Sequence, residues 1–482
     1  MLGGSREKIA VIGGGAAGLG AAWRLSEKYD VTVYEADAEL GGHAYGHPFA
    51  GTFVDMGVMI TLPWAYPNLY CMFQRYGVRT RAAAATLMVS FSGPGGSEEI
   101  WGNDASLQGT ALFSRLEAGA SRFEQMMFEI AALPMKVQME PISRFIDRRV
   151  PGVPHSGGYD EEFVVKGLCP LLSLFLVTRN SLLRTPAWSL SMMFRYGTLS
   201  FFSPTTWRTV VGGSRRYIAR LTRSFRARYL LGTRVTRVLR SGEAVTVTDD
   251  KKLEERYDQV VFATSADQAL SILAEPSDDE CRLLGAFRHQ PAVAYLHQDS
   301  SLLSREFDER LFFQYRSASA APCPDLDGVM TYNMKRVSDL DRVSGPVLVS
   351  VFSSAPEAPP AGTVVRRDFS HFIPDDMAMK ARLGLNTLQG VRRSWFCGDY
   401  TTFSSHEDAF VSGMVISEAL GVDYPFRDHP AAAFRYNQNR LLMLPPLGAR
   451  TRLGVVARSE LLRDSLDVVL PALRRQTRPQ GA

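Results

Sequence analysis

An α/β fold carrying a Rossmann-like dinucleotide-binding unit is predicted by three features near the N-terminus. They are an apolar run ending in a glycine-rich turn, a run of small and apolar residues at helical spacing, and a second apolar run ending on an acid. Lys8 to Ile12 (KIAVI) reads as the first strand, and Gly13, Gly15 and Gly18 supply the GxGxxG spacing, with Ala16 and Ala17 between the last two. The first glycine permits the turn, the second lets the backbone approach a pyrophosphate, and the third lets helix and strand pack closely. The helix start adds amide donors and a favourable dipole. Asp30 to Tyr34 (DVTVY) is the second strand, ending on Glu35 and Ala36, with Glu35 twenty residues after Gly15. A carboxylate there accepts hydrogen bonds from the ribose hydroxyls of an adenosine and disfavours a 2'-phosphate. This much leaves NAD and FAD both open.

The chain has 482 residues of ordinary globular composition, enough for two large domains. Its net charge of +4 is mild and no nucleic-acid reader motif is present, so nucleic acid is not an expected partner. The five cysteines stand without a CxxC pair or a histidine at metal spacing, which argues against zinc and against a disulfide framework. No metal is expected. The N-terminus runs into a strand without a charged leader and apolar segment, and the longest apolar run, Leu168 to Val177, is broken by Pro170 and Ser173. A cytoplasmic protein without a transmembrane segment is the expectation.

Further along, Gly41, Gly42 and His43 precede a hairpin-like stretch that reaches Asp55, Met56 and Gly57. With these residues the sequence resembles the flavoprotein amine oxidase and phytoene desaturase superfamily, in which an acid, a diglycine and a later D-x-G follow the first βαβ unit and line FAD. The resemblance implies non-covalent FAD on a domain of the glutathione-reductase and amine-oxidase type, interleaved with an α+β substrate domain of helices and a mixed sheet. Many members carry an arginine after the diglycine; His43 stands there, as a weaker phosphate donor or a loop residue.

The FAD domain is expected from three pieces, 1–75, 205–285 and 390–425, with 76–204 and 286–389 forming the substrate domain and 426–482 a helical extension. In the second piece the resemblance places the Val235 backbone against the adenine and Ala263 beside the cofactor. In the third, Gly398 and Asp399 follow a strand and precede His406, Glu407, Asp408 and a helix with Gly413. There Asp399 would bind the ribityl or pyrophosphate region, and amides near Ala409 and Phe410 would face the flavin, where a helix N-terminus stabilises developing negative charge. The stretches 207–217, 296–299 and 406–413 are similar to a bacterial branch known only as predicted NAD/FAD-binding proteins.

For chemistry, His406 is the first catalytic candidate, with Glu407 beside it as proton carrier or helix cap. Lys335 is a third candidate, because some amine oxidases use a lysine above the flavin, although an exposed lysine is the ordinary case. Phe410 occupies a position where amine oxidases of the superfamily place a tyrosine wall. That substitution, with the Leu, Phe, Met and Trp content of 160–205, favours a small lipophilic substrate such as a fatty-acyl chain or polyene, oxidised or desaturated by hydride transfer to flavin N5. An amine or amino-acid oxidase, a double-bond isomerase and a non-enzymatic flavin-binding protein are the alternatives. From Arg435 to Arg478 an arginine surplus alternates with leucines, a pattern suited to docking on its own domain or to peripheral contact with the inner face of a membrane.

Overall fold

A computed structural model describes residues 6–92, 97–176, 182–195, 197–317, 328–402 and 404–444. The expected basic C-terminal helix lies for the most part outside them.

Strand Lys8–Ile12 has every residue after Lys8 buried, which is why it reads as an unbroken apolar run: a central parallel strand is covered on both faces. It pairs in parallel with Asp30–Tyr34 on one side and Gln259–Phe262 on the other. Arg228–Leu230 and Ser394–Phe396 complete a five-stranded parallel sheet. One sheet thus gathers strands from three distant stretches of chain. A three-stranded antiparallel meander, Val235–Ser241, Ala244–Asp249 and Glu254–Tyr257, flanks it.

Helix Ala16–Leu25 follows the glycine turn and packs along helix His406–Ala419. The two backbones nearly touch. A Cβ built on Gly413 would lie 2.1 Å from the Ala17 carbonyl oxygen, and one on Gly20 would lie 2.4 Å from that of Phe410. Small residues are what allow so close an approach.

The second layer is a seven-stranded mixed sheet whose first two strands, Val365–Phe372 and His289–His297, are antiparallel. Its far edge is formed by Leu87–Ser92 and Glu98–Gly102. Helices Ala111–Ile130 and Ala187–Arg195 contribute to its core, with Phe123, Met126, Met127, Leu190 and Phe194 buried together. Strand pair Thr80–Ala85 and Thr205–Val210 connects the layers. Among the described residues no helix is long and apolar enough to cross a membrane.

Candidate active site

The glycine turn leaves a space that the protein itself does not fill. Gly13 has φ +107°, a conformation that disfavours a side chain, and a Cβ on Gly18 would fall 1.8 Å from the Gly13 carbonyl oxygen. Gly15 is different. It has φ −74°, open to any residue, and a Cβ there would meet nothing closer than the Gly42 Cα at 4.0 Å. As the N-cap of helix Ala16–Leu25 it makes no side-chain hydrogen bond to the first-turn amides. The diglycine closes the other side: the Gly41 amide donates to the Gly14 carbonyl at 2.9 Å.

Glu35 sits at the end of this cradle. Its two oxygens accept from the Gly14 and Asp37 amides at 2.8 and 2.9 Å, while partial burial raises its carboxyl above the usual range. The chain before Val235 runs alongside, with the amides of Gly232 and Thr233 donating to the Asp37 and Glu35 carbonyls, both at 2.8 Å. Ala263 closes against Gly13, its amide donating to Ile12 at 2.8 Å. Across the groove, His43 stacks on Phe369 with ring centroids 5.3 Å apart, and its Nε2 is buried with no hydrogen-bond partner. Asp399 is close enough to pull the His43 pKa upward, against the larger desolvation that lowers it. A cradle bordered by backbone amides at the start of a helix fits a dinucleotide pyrophosphate. Gly13, Gly15, Gly18, Ala16, Ala17, Glu35, Gly41, Gly42, His43 and Asp399 are the residues here that would hold FAD.

The acids near the site are committed elsewhere, which corrects several expectations. The buried Asp55 carboxylate accepts from the Ser214 amide at 2.9 and 3.0 Å and from its Oγ at 2.6 Å, so it clamps the start of helix Arg215–Thr222 instead of presenting oxygens to a cofactor. Burial lifts it to about 7. Gly57 is held by packing: a Cβ there would lie 2.1 Å from the His43 carbonyl oxygen. Glu407, expected as a proton carrier, accepts from the Asn68 amide and Nδ2, both at 2.8 Å, and from the Leu69 amide at 2.9 Å. It caps helix Pro67–Arg75, whose N-cap residue Tyr66 offers no side-chain bond. Asp408 forms a capping box with Ser405 and accepts from Arg435 at 2.9 Å and Asn439 at 3.2 Å.

Phe410 is no wall of the site. It is 1% exposed and stacks on Trp23, ring centroids 5.9 Å apart at 15°. Being one helical turn from Gly413, it faces the glycine-turn helix, so its replacement of a tyrosine says nothing about substrate. The Ala409 amide is likewise spent on the Ser405 carbonyl at 3.0 Å, leaving His406 and Glu407 to contribute the unpaired first-turn amides. Lys335 donates to the Val343 carbonyl at 2.7 Å within its own loop.

His406 keeps its candidacy. Its Nε2 shares a 2.5 Å hydrogen bond with the Tyr217 hydroxyl, a partner the sequence reading missed because helix Arg215–Thr222 lies 189 positions away. Burial lowers the imidazole to about 4 and raises the phenol well above its ordinary 10. Both partners are therefore neutral at pH 7. His371, its ring centroid 5.2 Å from that of His43, is pushed down by burial to about 3.

A pH consequence follows for the FAD-free protein. The unfolded His371 takes up its proton near pH 6.5 and the folded one near 3, so in between the unfolded state binds more protons. The stability contributed by His371 is complete above about pH 6.5 and declines as the pH falls toward 3. His371→Gln flattens that acid limb, by about 2 kcal/mol between pH 7 and 4.5 in urea midpoints. Equal slopes for both proteins contradict a buried neutral imidazole.

A parallel sheet whose glycine turn, ribose-end acid and amide-lined cradle converge beside a neutral histidine–tyrosine pair defines a dinucleotide-binding protein, and the family match makes it an FAD-dependent oxidoreductase. The chain belongs to the flavin containing amine oxidoreductase family, whose model matches residues 16–301. A tryptophan 2-monooxygenase of Agrobacterium vitis is 33% identical over 132 residues, 24% of this chain and 16% of that protein. Among solved structures, a CLA-producing fatty acid isomerase from P. acnes matches with TM-score 0.60 at 15% identity, over 86% of this chain and 98% of its own. A putrescine oxidase bound to putrescine matches with TM-score 0.58 at 14% identity, over 86% of this chain and 98% of its own. Cyclohexylamine oxidase from Brevibacterium oxydans matches with TM-score 0.57 at 14% identity, over 86% and 99%.

Proposed function

We propose that the chain uses FAD to oxidise or desaturate a C–H bond of an uncharged, lipophilic substrate of the fatty-acyl or polyene class. The observation that carries this reading is the fate of the carboxylates. Glu407, Asp408 and Asp55 each accept several hydrogen bonds from neighbouring elements, and His43, His371 and His406 are all lowered by burial toward the neutral form. Such surroundings offer little to hold an ammonium group and suit an apolar chain.

Bound FAD supplies the hydride acceptor. The protein's share is to exclude water and to handle a proton at His406 Nε2, where Tyr217 keeps the ring oriented and exchanges the proton with it. His406→Gln lowers the rate of flavin reduction by about a hundredfold, within the range for one acid–base group, and leaves FAD content unchanged. Stopped-flow reduction of the holoenzyme checks this, and an unaltered rate removes His406 from the chemistry.

Amine oxidation is the second reading, favoured by the family and by the activities named for the putrescine and cyclohexylamine oxidases of the same fold. Anaerobic additions of fatty acids, polyenes and amines to the holoenzyme separate the two. Bleaching by the lipophilic compounds alone supports the proposal; bleaching by amines alone overturns it. Turnover of a polyene without bleaching indicates isomerisation, the reaction in the name of the P. acnes protein.

A further inference from the structure

The groove is bordered by a buried donor without a partner. Arg367, on strand Val365–Phe372 of the seven-stranded sheet, crosses to the dinucleotide-binding layer and forms an ion pair with Asp37, two residues beyond Glu35. Its guanidinium carbon lies 4.6 Å from the centre of the Tyr45 ring and 5.9 Å from that of Phe369, the ring on which His43 stacks. It is near enough to His43 to lower its pKa. The Asp37 pair occupies one terminal nitrogen, and the Arg367 Nε is buried with no hydrogen-bond partner, as is the His43 Nε2.

A buried guanidinium N–H without a partner, on a residue that shares the Phe369 ring with the His43 that follows the diglycine, fits an anion as its acceptor. We propose that Arg367 supplies, from the substrate-domain sheet, the guanidinium contact to the FAD pyrophosphate that His43 cannot make after Gly41 and Gly42. The inference rests on the chain binding FAD. With Asp37 holding one terminal nitrogen, the remaining N–H groups would be free to donate to a phosphate oxygen. Such a contact also ties cofactor binding to the docking of the substrate sheet, because the arginine and the glycine turn belong to different layers.

The test compares FAD, FMN and riboflavin binding to apo-protein by quenching of flavin fluorescence. Arg367→Gln weakens FAD by about ten- to hundredfold, the loss expected for a charge-assisted hydrogen bond, and leaves riboflavin, which has no phosphate, within about twofold. Arg367→Lys recovers part of the difference. Asp37→Asn breaks the ion pair but spares the arginine, so FAD affinity stays within about threefold of the parent. If Asp37→Asn weakens FAD as much as Arg367→Gln, or if riboflavin and FAD weaken together, Arg367 is only a tether and the proposal falls. Parent protein that binds no FAD at all contradicts the cofactor itself, an outcome distinct from either.

Discussion

Gly15→Val yields a folded protein that no longer retains FAD. Valine is accommodated by the backbone, since φ is −74° at this position, and its Cβ meets no protein atom nearer than 4.0 Å. The stability of FAD-free protein therefore changes by no more than about 0.5 kcal/mol. The space the side chain enters is the one the pyrophosphate needs at the start of helix Ala16–Leu25. FAD affinity falls by roughly a thousandfold, about 4 kcal/mol. Equilibrium dialysis checks the affinity and a urea titration the fold. A variant that binds FAD normally places the cofactor elsewhere; one that is unfolded shows that Gly15 is a packing glycine like Gly18.

Glu407→Ala destabilises the protein by about 3 kcal/mol, while Glu407→Gln costs far less. Glu407 is fully buried and satisfies the Asn68 and Leu69 amides at the start of helix Pro67–Arg75. Removing it orphans those donors, and no water reaches them. Glutamine keeps one oxygen acceptor in place, and burial has already lifted the carboxyl to about 7. Urea midpoints of the two variants against the parent decide the matter. If Glu407→Ala keeps its stability but loses the rate of flavin reduction, the residue belongs to the chemistry after all.

The cradle was legible in the chain because its parts are local. The turn Gly13 to Gly18, the strand ending on Glu35 and the Gly41 and Gly42 pair each depend on backbone conformation, which a glycine at a fixed spacing declares. The gathering of pieces 1–75, 205–285 and 390–425 into one domain was implied by the family resemblance, whereas the edge strand Arg228–Leu230, half-exposed and not an apolar run, was not read at all. Side-chain direction was not legible. Phe410 was expected over the flavin, but the close approach at Gly413 sets the phase of helix His406–Ala419 and turns Phe410 onto Trp23. Capping by the acids at 407 and 408 was legible, and Asp408 does form a local capping box with Ser405, but only the distant donors Ser214, Asn68 and Leu69 show that Asp55 clamps another helix and that Glu407 caps helix Pro67–Arg75 and not its own. Arg367 carries no motif, and Tyr217, although it ends the stretch 207–217, has nothing in the sequence to mark it as the partner of His406. They approach the groove by the folding of segments about 190 to 330 positions away, which is contact information that one sequence does not hold.

The space between Gly15 and Gly42 would hold the diphosphate of a tightly but non-covalently bound FAD. Acid precipitation of the purified protein, followed by measurement of flavin in supernatant and pellet, tests it most directly. The account predicts close to one FAD per chain, all of it in the supernatant, from a yellow protein. A colourless protein that takes up no FAD on reconstitution, or flavin that stays with the pellet, contradicts it.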